Sequence, residues 1–110
     1  LGAVGDFDVY QRLTRRTAGD LDVSSQLVNC ALGLTGEAGE VADYLKKHLF
    51  QGHEWDVDTV VSELGDILWY IAQMADAIGW RLSDIAARNV EKLRKRYPDG
   101  FSVERSVNRE

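Results

Sequence analysis

The sequence predicts an all-α fold, a small bundle of about four antiparallel helices. Three observations carry that prediction. The only proline in 110 residues is Pro98, so the long stretch before it holds no obligatory helix breaker. Apolar residues recur at steps of three and four through two long segments, which is the period of a helix with one buried stripe. No segment alternates apolar and polar residues as a half-buried strand does.

Each element has its own signals. A short amphipathic helix is expected over roughly Phe7 to Thr17, with a break at Gly19, Asp20 and Asp22. Ser24 and Ser25 are N-cap candidates for a second, long helix from Gln26 to about His48, whose stripe is Leu27, Ala31, Leu34, Ala38, Val41 and Leu45. Leu49 to Asp58 reads as a loop, with Asp58 able to cap the next helix. Val60, Leu64, Ile67, Ile71, Met74 and Ile78 form the stripe of that third helix, ended by Gly79. Ser83 and Asp84 open a fourth, which runs through Leu93 to Tyr97 and stops at Pro98-Asp99-Gly100. The residues after Phe101 form a polar tail, with Phe101 expected to dock on the body.

A chain of this length is expected to form one domain over 1–110, with a packed part at about 7–101 and a tail at 102–110. So short a helical chain often completes its core across a subunit boundary, which predicts an oligomer. The formal net charge is −5, from 13 Lys and Arg against 18 Asp and Glu, which argues against a general binder of nucleic acid or anionic membranes. The acidity is concentrated: residues 37–66 carry a net −6, whereas 81–96 carry +4. Long nucleic acid is therefore excluded, while a small polyphosphate is not. One cysteine, Cys30, rules out an intrachain disulfide and a Cys-based metal site, and it fits a reducing, cytoplasmic location. The start, LGAVGDFDVYQ, shows neither a basic n-region nor an apolar h-region, and Ile67 to Trp80 is too short and too polar to span a bilayer.

The second and third helices share a pattern. A shift of 26 residues aligns Leu34 with Val60, Glu37 with Glu63, Gly39 with Gly65, Glu40 with Asp66, Val41 with Ile67 and Tyr44 with Tyr70. Both Glu residues sit at the edge of their stripes, so antiparallel packing predicts that Glu37, Glu40, Glu63 and Asp66 converge along one seam. A single Glu-x-x-Glu is usually a solvated face. Two matched pairs are different, because like charges at i and i+3 repel and a bound cation offsets that repulsion. Gly39 and Gly65, each inside a helix beside an acid, suggest close approach of a backbone or ligand. Donors that are all carboxylate oxygens suit Mg²⁺ or Mn²⁺, whereas a di-iron bundle needs Glu-x-x-His, which is absent.

Magnesium held by a few carboxylates completes its shell with water and substrate phosphates, which points to a polyphosphate. Asn89, Lys92 and Arg96 share one edge of the fourth helix and can meet phosphate oxygens, although basic residues in a last turn also answer the helix dipole. No nucleophilic triad, P-loop or G-x-G-x-x-G is present, so water is the expected nucleophile.

The segments GLTGEAGEVADYLKKHLFQGH, SELGDILWYIAQMADAIG and NVEKLRKRYPDGF, in that order, resemble the MazG-like, all-α nucleoside triphosphate pyrophosphohydrolases. The hallmark E-x-x-E, spacer, E-x-x-D is read at Glu37, Glu40, Glu63 and Asp66, and the likeness covers about residues 10–101, including Tyr10-Gln11. The resemblance implies Mg²⁺-dependent cleavage between the α- and β-phosphates to a nucleoside monophosphate and pyrophosphate, in nucleotide-pool house-cleaning. It also implies that those four acids hold metal and act in catalysis, that Asn89, Lys92 and Arg96 lie at the phosphates, and that the protein is a homodimer or homotetramer. The consecutive Glu pair of relatives acting on dUTP is absent, since Gly36 precedes Glu37. Trp55, Trp69 and Tyr97 are candidates for base stacking or for packing, and Trp69, which pairs with Asp43 in the echo, has no assigned role. The alternative function is a non-enzymatic nucleotide sensor or a helical oligomerisation module.

Overall fold

The computed structural model describes residues 6–108. Residues 1–5, part of the start read as lacking a secretory signal, and 109–110, at the end of the tail, lie outside the described residues. The described chain is all-α: α1 (Phe7–Thr14), a 3₁₀ turn (Arg15–Thr17), α2 (Val23–Phe50), α3 (Val57–Ala77), α4 (Leu82–Arg96) and α5 (Val103–Val107), with no strand among the described residues. Among the described residues no helix is long and apolar enough to cross a membrane.

The caps fix the helix ends a few residues from where periodicity places them. Asp22, not Ser24 or Ser25, caps α2, its carboxylate accepting from Ser25 N at 2.8 Å. Asp56, not Asp58, caps α3, with Asp58 in its first turn. Both helices therefore reach further into the expected loop, which shrinks to 51–56. Gly79, at φ 74°, ends α3 in a Schellman arrangement: its N–H meets Asp76 O at 3.1 Å and Trp80 N meets Ala75 O at 3.0 Å. The tail is not structureless, because Ser102 caps the short α5. Phe101 is largely exposed, not docked on the body, and its ring lies 5.2 Å from that of Tyr97.

α2 and α3 form an antiparallel pair. Gln26 Nε2 donates to Gln73 Oε1, Gly33 lies against Tyr70, Glu37 meets Glu63, and the Tyr44 hydroxyl accepts from Asp56 N. The face that α2 turns to α3 thus carries Gln26, Cys30, Gly33, Glu37 and Tyr44, about one residue round the helix from the predicted stripe. Of that stripe, Ala31, Ala38 and Leu45 remain exposed, as do Leu64 and Ile78 on α3. The apolar side chains that are fully buried are small or few: Cys30, Ala72, Ala75 and Leu82. The radius of gyration is 17.0 Å, against about 13 Å for a compact domain near this length.

A polar clasp sets where α4 leaves the body. Gln11, 2% exposed, accepts from Leu82 N at 2.8 Å and donates through Nε2 to Asp76 Oδ1 and Trp80 O. Asp8 accepts from both the N–H and the hydroxyl of Ser83, and those bonds lower its pKa. Two side chains of α1 thus satisfy free donors at the start of α4, whose own N-cap residue, Arg81, supplies no side-chain cap. Asp76 also takes a two-pronged ion pair from Arg15, at 2.7 and 2.8 Å, which offsets the unfavourable placing of an acid near a helix C-terminus.

Candidate active site

The acidic seam forms where the echo predicts, with three of its four members. Glu37, Glu63 and Asp66 each present a carboxylate oxygen within 4.8 Å of the others. Glu37 and Glu63 are echo partners that meet at one level of the antiparallel pair. Glu40, three residues nearer the loop, and Asp66, three residues further from it, therefore stand on opposite sides of that level. Six residues of rise separate them, roughly 9 Å along the axis. Glu40 is exposed and outside the group of three, although its charge acts on Glu37.

Electrostatics make this cluster unlike an ordinary acidic surface. A hydrogen bond to Glu63, then loss of solvent, then the charges of Glu63, Asp66 and Glu40 push the Glu37 pKa up to about 7. Below about pH 7 this favours the protonated form of Glu37 where an isolated glutamate is ionised. Glu63 Oε2 is buried and receives no hydrogen bond from any ordinary donor among the described residues. Buried oxygens are rarely left so. An all-oxygen donor set with a donorless buried oxygen fits a hard divalent cation.

One side of the cluster opens into a recess of about 350 Å³ lined by Glu37, Asp66, Thr17, Trp69 and Tyr70. Tyr10 of α1 lies near enough for Asp66 to add to the rise in its pKa, after the larger effect of burial. Gly33 gives Tyr70 its place: a Cβ there would collide with the phenol ring. Gly39 and Gly65, expected to admit a close neighbour, face open space within this chain. Thr17 and Tyr70 are not among the site residues expected from the sequence, whereas Trp69 is there a candidate for base stacking or for packing. The one signal for Tyr70 in the sequence is its echo of Tyr44, and Thr17 has none.

The predicted phosphate-binding residues lie elsewhere on the protomer. Asn89, Lys92 and Arg96 line a separate groove of about 1320 Å³ with Trp80, Arg88 and Arg105, and it shares no lining residue with the recess. At the far end of the α2–α3 pair, Trp55 stacks 5.8 Å from Tyr44, and His48 Nδ1 meets His53 O at 2.8 Å. This set, together with the bonds from Tyr44 to Glu54 O and Asp56 N, closes the connecting loop.

Comparison with known proteins places the chain in a family. The model of the MazG nucleotide pyrophosphohydrolase domain matches residues 26–101, a span that contains all four acids and the basic edge of α4. The Gene 37 protein of Mycobacterium phage L5 is 37% identical over 102 residues, covering 84% of this chain and 90% of that protein. No solved structure matches. With the match extending from the second turn of α2 to the end of the RYPDGF segment, the chain belongs to the MazG nucleotide pyrophosphohydrolase family.

Proposed function

We propose that the protein hydrolyses a nucleoside triphosphate between its α- and β-phosphates, giving a nucleoside monophosphate and pyrophosphate, with Mg²⁺ or Mn²⁺ as cofactor. The observation that carries this reading is the cluster of Glu37, Glu63 and Asp66 around a buried carboxylate oxygen that lacks a donor. These three residues would hold the cation. When bound, it supplies neutralising charge and Lewis-acid polarisation to the phosphate oxygens. With a cation bound, Glu37 and Glu63 would both serve as anionic oxygen donors. Glu40, exposed on the other side of the Glu37–Glu63 level, is proposed to act with these three acids on the cation and in catalysis, with water as the nucleophile.

Asn89, Lys92 and Arg96 are proposed to bind the outer phosphates. Since they face a different groove of the same protomer, a second copy delivers them. The large radius of gyration and the exposed Leu32, Leu45, Val61, Leu64 and Val90 support a homodimer or homotetramer in which such faces cover one another. The corresponding role is house-cleaning of the nucleotide pool in the cytoplasm.

The deciding experiment incubates the protein with canonical and modified ribo- and deoxyribonucleoside triphosphates plus Mg²⁺ and monitors pyrophosphate. Release of pyrophosphate supports the assignment; orthophosphate alone, or no turnover with any nucleotide, overturns it. Binding and release of unchanged nucleotide would favour a sensor.

A further inference from the structure

The recess beside the carboxylates has an unusually well-organised wall. Trp69 and Tyr70 are consecutive on α3, yet their rings meet edge to face, with centroids 5.1 Å apart and planes at 89°. The indole Nε1 donates to Thr17 Oγ1 at 2.8 Å, and that hydroxyl passes its own hydrogen to Thr14 O at 3.1 Å. Thr14 is itself buried, accepting from Gln73 Nε2 at 2.8 Å and donating to Gln11 O at 2.7 Å. A chain of bonds therefore ties Trp69 to the polar clasp between α1 and α3. The geometry leaves the indole with its one donor satisfied inside the protein. Covering a tryptophan usually requires a new partner for its N–H, but here a flat apolar group can displace water without orphaning it.

A polyphosphate held at Glu37 and Asp66 places the rest of its molecule against whatever adjoins them, and this wall does. The volume of about 350 Å³ is within the range of small-molecule sites. We infer that Trp69, positioned by Thr17, is the surface on which the nucleobase of the substrate stacks. The inference rests on the nucleotide reading above and deepens it by assigning the base contact. Stacking of this kind is tolerant, because every base presents a π face.

The test compares two ligands on the full-length protein with Mg²⁺ by calorimetry: a non-hydrolysable α,β-imido nucleoside triphosphate and inorganic tripolyphosphate, which has no base. Trp69→Ala is expected to weaken the nucleotide analogue by about 5- to 150-fold, the range for loss of one base–aromatic stack, while changing tripolyphosphate binding less than about twofold. Thr17→Val is expected to weaken the analogue selectively, with Thr17→Ser restoring it, and Trp69→Phe to retain part of the affinity. Equal losses for both ligands, or none for either, overturn the inference, as does selective loss that Thr17→Ser fails to restore. Loss of both ligands with altered sedimentation would assign the wall to a subunit interface and also overturn it. If the wild-type protein binds neither ligand, the nucleotide reading itself fails. If it binds both and only the variants behave otherwise than expected, the base contact alone fails.

Discussion

Replacing Gly33 with Ala tests whether Tyr70 is seated as described. Gly33 lies inside α2, where exchange of glycine for alanine normally stabilises by about 1 kcal/mol through backbone entropy. Gly36, one turn on in the same helix, has open space where a methyl group would stand and should show that gain. At Gly33 the added methyl runs into the Cε1 and Cζ atoms of Tyr70, and overpacking of a fixed site costs about 1–3 kcal/mol. The Gly33→Ala protein is therefore expected to be less stable than the Gly36→Ala protein by roughly that 1–3 kcal/mol. At roughly 4–8 °C per kcal/mol for a domain near this size, the gap is readily seen in thermal melts. Protein concentration must be held fixed, because an oligomer's stability depends on it. Removal of the ring by Tyr70→Ala should reverse the sign at Gly33, so a double-mutant cycle isolates the clash. Equal gains at Gly33 and Gly36, with no coupling to Tyr70, would refute the packing on which the recess depends.

Other predictions address the charges and the clasp. In EDTA the folded chain holds a proton on Glu37 up to about pH 7, whereas the free side chain loses it near 4.5. Stability should therefore fall as pH rises across that window, and Glu63→Gln or added Mg²⁺ should flatten the slope in a pH series of melts. Asp8 and Asp22, with lowered pKa values, should contribute stability above their ordinary 3.8 that is lost at lower pH. Gln11→Leu leaves Leu82 N and Trp80 O without their side-chain partner and removes one donor from Asp76, which keeps Arg15, and should cost about 3 kcal/mol in urea denaturation, against nearly nothing for an exposed change such as Arg12→Gln. If a second copy supplies the basic edge, mixing inactive Glu63→Gln and Lys92→Ala proteins should restore about a quarter of wild-type activity, since one of two sites in each mixed dimer is intact. Continued inactivity after confirmed subunit exchange would place both groups on one chain.

Much of the fold is legible because a helix writes its period into the sequence. The two long stripes, the punctuation at Gly79 and Pro98, and the absence of alternation give the helices and their order. Helix ends are less legible, since Asp22, Ser24 and Ser25 are all competent caps and only backbone geometry chooses among them. The orientation of α2 differs by about one residue from the one its periodicity predicts. Periodicity marks the apolar stripe as the buried one, but in the single chain the carboxylate edge turns toward α3 and much of the stripe stays open. A single sequence does not say how many copies share a core.

The acid cluster is legible in the sequence because an antiparallel pair with a repeated motif brings echo partners to one level, and Glu37 and Glu63 are such partners. That argument does not distinguish Glu40 from Asp66. The tertiary structure does, by placing them on opposite sides of the Glu37–Glu63 level and grouping only Asp66 with the pair. It also decides what no local pattern contains: that Thr17 on one segment holds Trp69 on another, and that Gln11 and Asp8 of α1 supply the acceptors for α4. The physical reason is range. Helical period and motif spacing act within a few turns of one element and survive as patterns in the chain, whereas hydrogen bonds between residues so distant in sequence exist only once the elements have packed.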